Sequence, residues 1–199
     1  MFDDLLTLVP PTEGRKRGLR GDLQEVLSEG AVMVAYALHL FRTTDARKIE
    51  IHPDGEHGKR FAFRPWLKRQ GFALASTRGK TEYGGIYHDQ SGAELEVFPK
   101  SGRGDVVATI GGRVVLVAEA KGGIINSSHS GVTSRLRRGL CEAAGLLLAS
   151  PLSDGLRQVA VVPDTDIART LSERMIPRLR LAGIGIALVD GRGNVTDVQ

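Results

Sequence analysis

Apolar positions recur at helical spacing in one long early segment of the chain. From Arg20 to Phe41, Leu23, Val26, Leu27, Val34, Leu38 and Phe41 return every three or four residues, which predicts a helix that turns apolar on most sides in its second half. Gly30 is placed to bend or split it. Ile49-Glu50-Ile51-His52 alternates and stops at Pro53-Asp54-Gly55, the pattern of a short strand and turn. A second helix is expected from His57 to Gln70, disturbed at Pro65 and stopped by Gly71. Phe72 to Ala75 then restarts in an extended register. Strands are expected at Glu94 to Phe98, Asp105 to Ile110 and Arg113 to Ala120, the last two joined by Gly111-Gly112. Thr133 to Ala149 reads as a helix and Gln158 to Val162 as a strand. A helix from Asp164 or Thr165 to about Leu181, disturbed at Pro177, precedes a last strand from Ile184 to Val189.

This order predicts an α/β fold, a mixed central sheet flanked by helices on both faces. Residues 1–50 are expected to be an N-terminal helical extension, packed on the core or dimerising it through the apolar 31–41 segment. Residues 51–199 would then form the α/β domain. With 41% hydrophobic and 25% charged residues, disorder is excluded as an overall state. The 25 glycines follow no fixed period, which excludes collagen and solenoid repeats. The single Cys141 excludes an internal disulfide framework and a cysteine-rich zinc site; on an apolar helix face it is expected to be a small buried residue. Met1-Phe2-Asp3-Asp4 is the reverse of a signal-peptide start, and the apolar stretch from Ala31 to Phe41 is too short to span a bilayer. A cytoplasmic location is the expectation.

The net charge of +4, from 27 Lys+Arg against 23 Asp+Glu, permits a nucleic-acid partner without demanding one. Its layout says more. Lys59, Arg60, Arg64, Lys68 and Arg69 crowd one predicted helix with no acid after Glu56, and Arg135, Arg137 and Arg138 lie near the start of a later one. Both groups suit phosphate contacts, and solvated helix faces are the competing reading. Ser127, Ser128, His129 and Ser130 stand in a Gly-flanked segment, 122–131, expected to be a flexible loop beside a substrate groove.

The chemistry concentrates between Gly104 and Gly123, where two apolar strands each end in charged residues at the open end of one hairpin. A three-residue loop with Ile110 facing Val114 puts Asp105 opposite Glu119, and a two-residue loop shifts that register by one position. Glu119 and Lys121 differ by two and so project from one face. Like charges facing across strands repel unless a cation lies between them. Mg²⁺ suits such a place, because it is held by one or two carboxylates and keeps waters for a phosphate to displace. Lys121 would orient or help deprotonate a water, or stabilise developing negative charge.

This arrangement resembles the PD-(D/E)xK nuclease superfamily, with its restriction-endonuclease-like fold. Asp105, Glu119 and Lys121 fit the three motif positions, and Ala120 is the intervening residue. The likeness covers about residues 56–190. It implies metal-dependent cleavage of DNA phosphodiester bonds with Mg²⁺ or Mn²⁺ held by Asp105, Glu119 and the Ala120 backbone carbonyl. Gly104 stands where the family name has proline. Many members add a Glu from the preceding helix, where this chain has Lys59-Arg60. Glu56 is expected to complete the site, with Glu25 and Glu29 as the other candidates. Restriction, phage defence and DNA repair are the implied roles, with a homodimer as a way to cut both strands. The rival is a non-catalytic nucleic-acid-binding or assembly subunit of the same fold. A Rossmann-like enzyme ranks last, since no Gly-rich phosphate loop opens a helix.

Overall fold

A computed structural model of the chain describes residues 4–54, 56–100 and 102–198; the side chains of Arg15, His57 and Lys59 also lie outside the described set. At its centre is α1 (Glu29–Thr43), buried without a break from Gly30 to Leu38. Such a run has no polar face, so the helix needs apolar neighbours all round. Ser28 fixes its start: the Ser28 hydroxyl accepts the Ala31 N–H at 3.2 Å, and Glu29 follows in the first turn, where the helix dipole favours an acid. The helix expected from Arg20 therefore begins nine residues late. Gln24–Leu27 is instead a strand, β2, paired antiparallel with β1 (Leu6–Val9). Three apolar positions within five residues are too few to separate a helical from an extended period.

Beyond α1 come β3 (Lys48–Ile51), α2 (His57–Arg60), α3 (Phe63–Arg69), β4 (Ala73–Thr77), β5 (Gly85–His88) and β6 (Glu94–Val97). The predicted 57–70 helix thus breaks in two, and Pro65 lies in the first turn of α3, where its missing N–H costs no helix bond. Then follow β7 (Val106–Ile110), β8 (Arg113–Ala120), β9 (Gly123–Ile124), α4 (Ser130–Ala149), β10 (Arg157–Pro163), α5 (Asp166–Leu179), β11 (Ile184–Val189) and β12 (Val195–Asp197).

Nine strands form one mixed sheet in the order β12-β11-β10-β8-β7-β3-β6-β5-β4, and β1, β2 and β9 form a small second sheet. β8, β10 and β11 run parallel, with α4 and α5 as their crossovers. On β8, Leu116, Ala118 and Ala120 face the α1 core, while Val117 faces the core under α4 and α5. The expected mixed α/β sheet with helices on both faces is therefore present.

Three expectations are corrected by this packing. The first fifty residues are no extension, because β3 lies inside the large sheet between β7 and β6 and α1 fills its core. For the same reason the 31–41 segment is not a free dimer face: Ala31 to Leu38 are consumed inside the chain. Cys141 is exposed. It follows Leu140, and one residue turns a helix by about 100°, away from the buried stripe of Leu136, Leu140, Ala143 and Leu147. Among the described residues, no helix is long and apolar enough to cross a membrane.

Candidate active site

The site is made by a register. Gly111 and Gly112, with φ of 57° and 77°, form a two-residue turn of the kind that requires left-handed backbone at both positions. Ile110 pairs with Arg113 across it, and that register alone would set Asp105 opposite Ala118. A bulge intervenes. Thr109 pairs with Val114 but Ala108 pairs with Leu116, so Val115 is an extra residue on β8 and the register advances by one. Val106 consequently faces Ala118, and the next position sets Asp105 beside Glu119. Side chains alternate between faces, so the bulge is what brings the two carboxylates to the same face.

At the end of the hairpin, side chain replaces ladder. Asp105 Oδ2 accepts the Ala120 N–H at 2.8 Å, while the Asp105 N–H donates to the Ala118 carbonyl and its own carbonyl accepts the His52 N–H, both at 2.9 Å. On the other side, the Lys121 N–H donates to the Val161 carbonyl of β10 at 2.9 Å. Asp105 and Lys121 are thus anchored at the carboxyl end of the parallel strands, where open α/β sheets place ligands.

Gly122 then turns the chain against α1. A side chain there would lie 2.6 Å from the Leu27 carbonyl oxygen, so only glycine lets the two backbones meet. This approach delivers Glu29 to the site. Lys121 Nζ lies 3.5 Å from Glu29 Oε1 and 3.1 Å from Glu142 Oε1 of α4. Glu142 shares a helix face with Gly139, whose missing side chain leaves room for the Lys121 stem.

The electrostatics follow from this crowding. Burial and the neighbouring Asp105 charge push the Glu119 carboxyl up to about 7; Lys121 opposes the shift, while a hydrogen bond with Asp105 and the charge of Glu29 add to it. Burial disfavours the Lys121 ammonium, but Glu29, Glu142 and Asp105 outweigh it and hold the pKa above its ordinary value. Lys121 is therefore a firm cation facing acids on three elements.

Among the described residues, no group of three or more His, Cys, Asp or Glu side chains is placed to hold a metal ion by itself. Two carboxylates in contact are present instead, and Mg²⁺ is often held through one or two such groups with water and phosphate completing its shell. The donor set fits a hard divalent cation: it is all oxygen, and its like charges are the ones such an ion would offset.

Asp105, Glu119 and Lys121 come together as expected, with Ala120 buried between the last two. Glu29, rather than the expected Glu56, is the glutamate whose charge acts on Glu119 and whose carboxylate meets Lys121. Glu56 is exposed just before α2, its N–H bonded to the Asp54 carboxylate. The basic residues divide. Arg60 and Arg135 line one cavity of about 710 Å³ together with Glu29 and Gly122. Arg64 and Lys68 flank a separate hollow beside Phe72 and Tyr87, and Arg137 and Arg138 are exposed on α4. The side chains of Lys59 and His57 lie outside the described residues.

Sequence reasoning missed Asn126 and Glu142. The segment 122–131 is not the loose loop expected: Asn126 Oδ1 accepts the Glu25 N–H, and its Nδ2 donates to the Arg20 and Leu23 carbonyls, all within 2.9 Å. His129 caps α4 by accepting the Gly131 N–H at 3.1 Å. No protein-family model matches the chain, and no curated protein or solved structure is significantly similar to it.

Proposed function

We propose that the protein is a divalent-metal-dependent nuclease that hydrolyses DNA phosphodiester bonds on a restriction-endonuclease-like core. The observation that carries this reading is the contact of Asp105 with Glu119 beside the Lys121 ammonium, at the carboxyl end of β8. Such a site is costly as plain structure, because burial and like charge both oppose ionisation of Glu119.

Asp105, Glu119 and the Ala120 carbonyl would hold the Mg²⁺ or Mn²⁺, which when bound lowers the pKa of water and offsets charge on the phosphodiester. Lys121, held between Glu29 and Glu142, would position the attacking water and stabilise negative charge on the phosphate. Glu29 and Glu142 hold the Lys121 amine in place from α1 and α4. In the reaction, a water oxygen bonds to phosphorus and the bond to the leaving sugar oxygen breaks. One water proton passes to solvent and the leaving alkoxide takes one up, giving a phosphate monoester and a hydroxyl.

The test is cleavage of plasmid and single-stranded DNA with Mg²⁺ by the wild type, Asp105→Ala and Lys121→Ala. Each change is expected to lower the rate by about 10³-fold, the upper range for removing one preorganised electrostatic group. Cleavage that survives both changes overturns the reading. DNA binding without cleavage by the wild type would favour the rival, a non-catalytic subunit whose Lys121 cluster is structural.

A further inference from the structure

The cavity of about 710 Å³ beside Glu29 is walled by the small sheet on one side and the start of α4 on the other. Its volume is within the range of small-molecule sites, roughly 300–1,000 Å³. The lining divides by chemistry. Val26, Ile124, Val132 and Leu136 supply an apolar surface, and Arg60 and Arg135 are basic residues of the lining. Gln24 also lines the cavity, is 4% exposed, and has a buried amide nitrogen with no hydrogen-bond partner. Buried amides are nearly always bonded, so turning the Gln24 amide into the cavity to meet a ligand acceptor would satisfy a donor that the chain itself leaves unpartnered. Gln24 is not loosely hung, since β2 is paired on both sides, to β1 and to β9.

Apolar walls, an amide and two basic residues match the three parts of one ligand class. The flat face of a nucleobase packs on aliphatic carbon, its edge presents acceptors to an amide, and its phosphate takes the arginines. Glu29 lines this cavity and also meets Lys121 at 3.5 Å, so the cavity and the Lys121 site share one wall residue. We infer that this cavity receives one nucleotide, base and 5′-phosphate, of a single or locally opened DNA strand, with Gln24 reading the base edge and Arg60 and Arg135 holding the phosphate. This rests on the nuclease reading and adds to it a preference for unpaired DNA.

The test is equilibrium binding in EDTA, where hydrolysis plays no part. The probes are a fluorescent single-stranded 12-mer, the same sequence as a duplex, free deoxynucleoside 5′-monophosphates and inorganic phosphate. The single strand is expected to bind at least tenfold tighter than the duplex, and a monophosphate nucleotide to compete where inorganic phosphate does not. Gln24→Leu is expected to weaken the single strand about tenfold while leaving the melting temperature unchanged or higher, because it removes an unpartnered buried amide. Arg135→Ala, on an exposed helix position, is expected to weaken it similarly. Unchanged binding in both variants overturns the inference, as does competition by inorganic phosphate equal to that of the nucleotide. A free nucleotide that the 12-mer fails to displace also overturns it. Failure of the nuclease reading looks different: no Asp105-dependent cleavage by the wild type, whatever Gln24 does.

Discussion

Two acidic clusters share one face of the large sheet, and they differ in kind. On β3 and β6, Lys48 lies 3.1 Å from Glu94, 3.3 Å from Glu96 and 3.8 Å from Glu50, and Arg78 reaches Glu96 at 3.5 Å. Each acid there has a cation against it, so the cluster is an ion-pair network centred on Lys48, itself 41% exposed. Burial opposes the Lys48 ammonium, yet its bonds to Glu94 and Glu96 win and raise its pKa. Two residues past Glu50, on the same face, His52 donates its N–H to Asp105, where the second cluster begins. There Asp105 and Glu119 meet each other first, and Lys121, 18% exposed, faces them together with Glu29 and Glu142. Similar residues on adjacent strands thus give a network of acids around one lysine in one place and an acid–acid contact beside a lysine in the other. The way the charges pair, not residue type, separates a structural cluster from a candidate catalytic one.

The comparison is tested hardest by the fourth acid. Glu29→Gln is expected to lower DNA cleavage about 10- to 100-fold, the usual range for losing a residue that orients the groups at a metal site. Glu56→Gln should stay within about twofold of wild type in the same assay. The reverse ranking would return the fourth position to Glu56.

A smaller effect concerns stability and its sign. Glu119 ionises with more difficulty in the folded chain than in the unfolded one, where its value is about 4.5. A raised carboxylate pKa is neutral for stability below the unfolded value and increasingly destabilising as pH rises from there through about 7. In EDTA at pH 8, Glu119→Gln is therefore expected to stabilise the protein by about 1–2 kcal/mol, after discounting for screening at a half-buried site. Urea unfolding should show that gain vanish below pH 4.5. A loss of stability at pH 8 would mean that Lys121 needs Glu119 more than Asp105 repels it.

The smallest effect belongs to the other cluster. Glu94→Gln should change stability by less than about 1 kcal/mol and leave cleavage unaltered, because Glu94 is partly exposed and Lys48 keeps Glu96 as a partner. A cleavage defect there would dissolve the distinction between the two clusters.

Much of this was legible in residue order, for identifiable reasons. The hairpin declared itself because two apolar strands flank Gly111-Gly112, and β8 and β11 begin and end where their patterns predict. Register was legible only as alternatives: the actual turn has two residues, and the Val115 bulge, which no local pattern marks, restores the pairing that a three-residue loop would have made. Glu29, named as a candidate but ranked behind Glu56, was undervalued for a different reason. It is 92 residues from Lys121, and a helix assumed to start at Arg20 buries its meaning. Reading Ser28 as a cap places Glu29 in the first turn, the strongest signal the sequence held for it. Glu142 and Asn126 depend on which way α4 and the preceding segment pack, and only long-range contacts decide that.

The central claim is that Asp105 and Glu119 form a divalent-cation site. Its most direct measurement is calorimetric titration of the protein with Mn²⁺, comparing the wild type with Asp105→Asn. The account predicts one site in the wild type, with affinity weakened about 10- to 100-fold or lost in the variant. Equal Mn²⁺ uptake by the two proteins, or none by either, would contradict it.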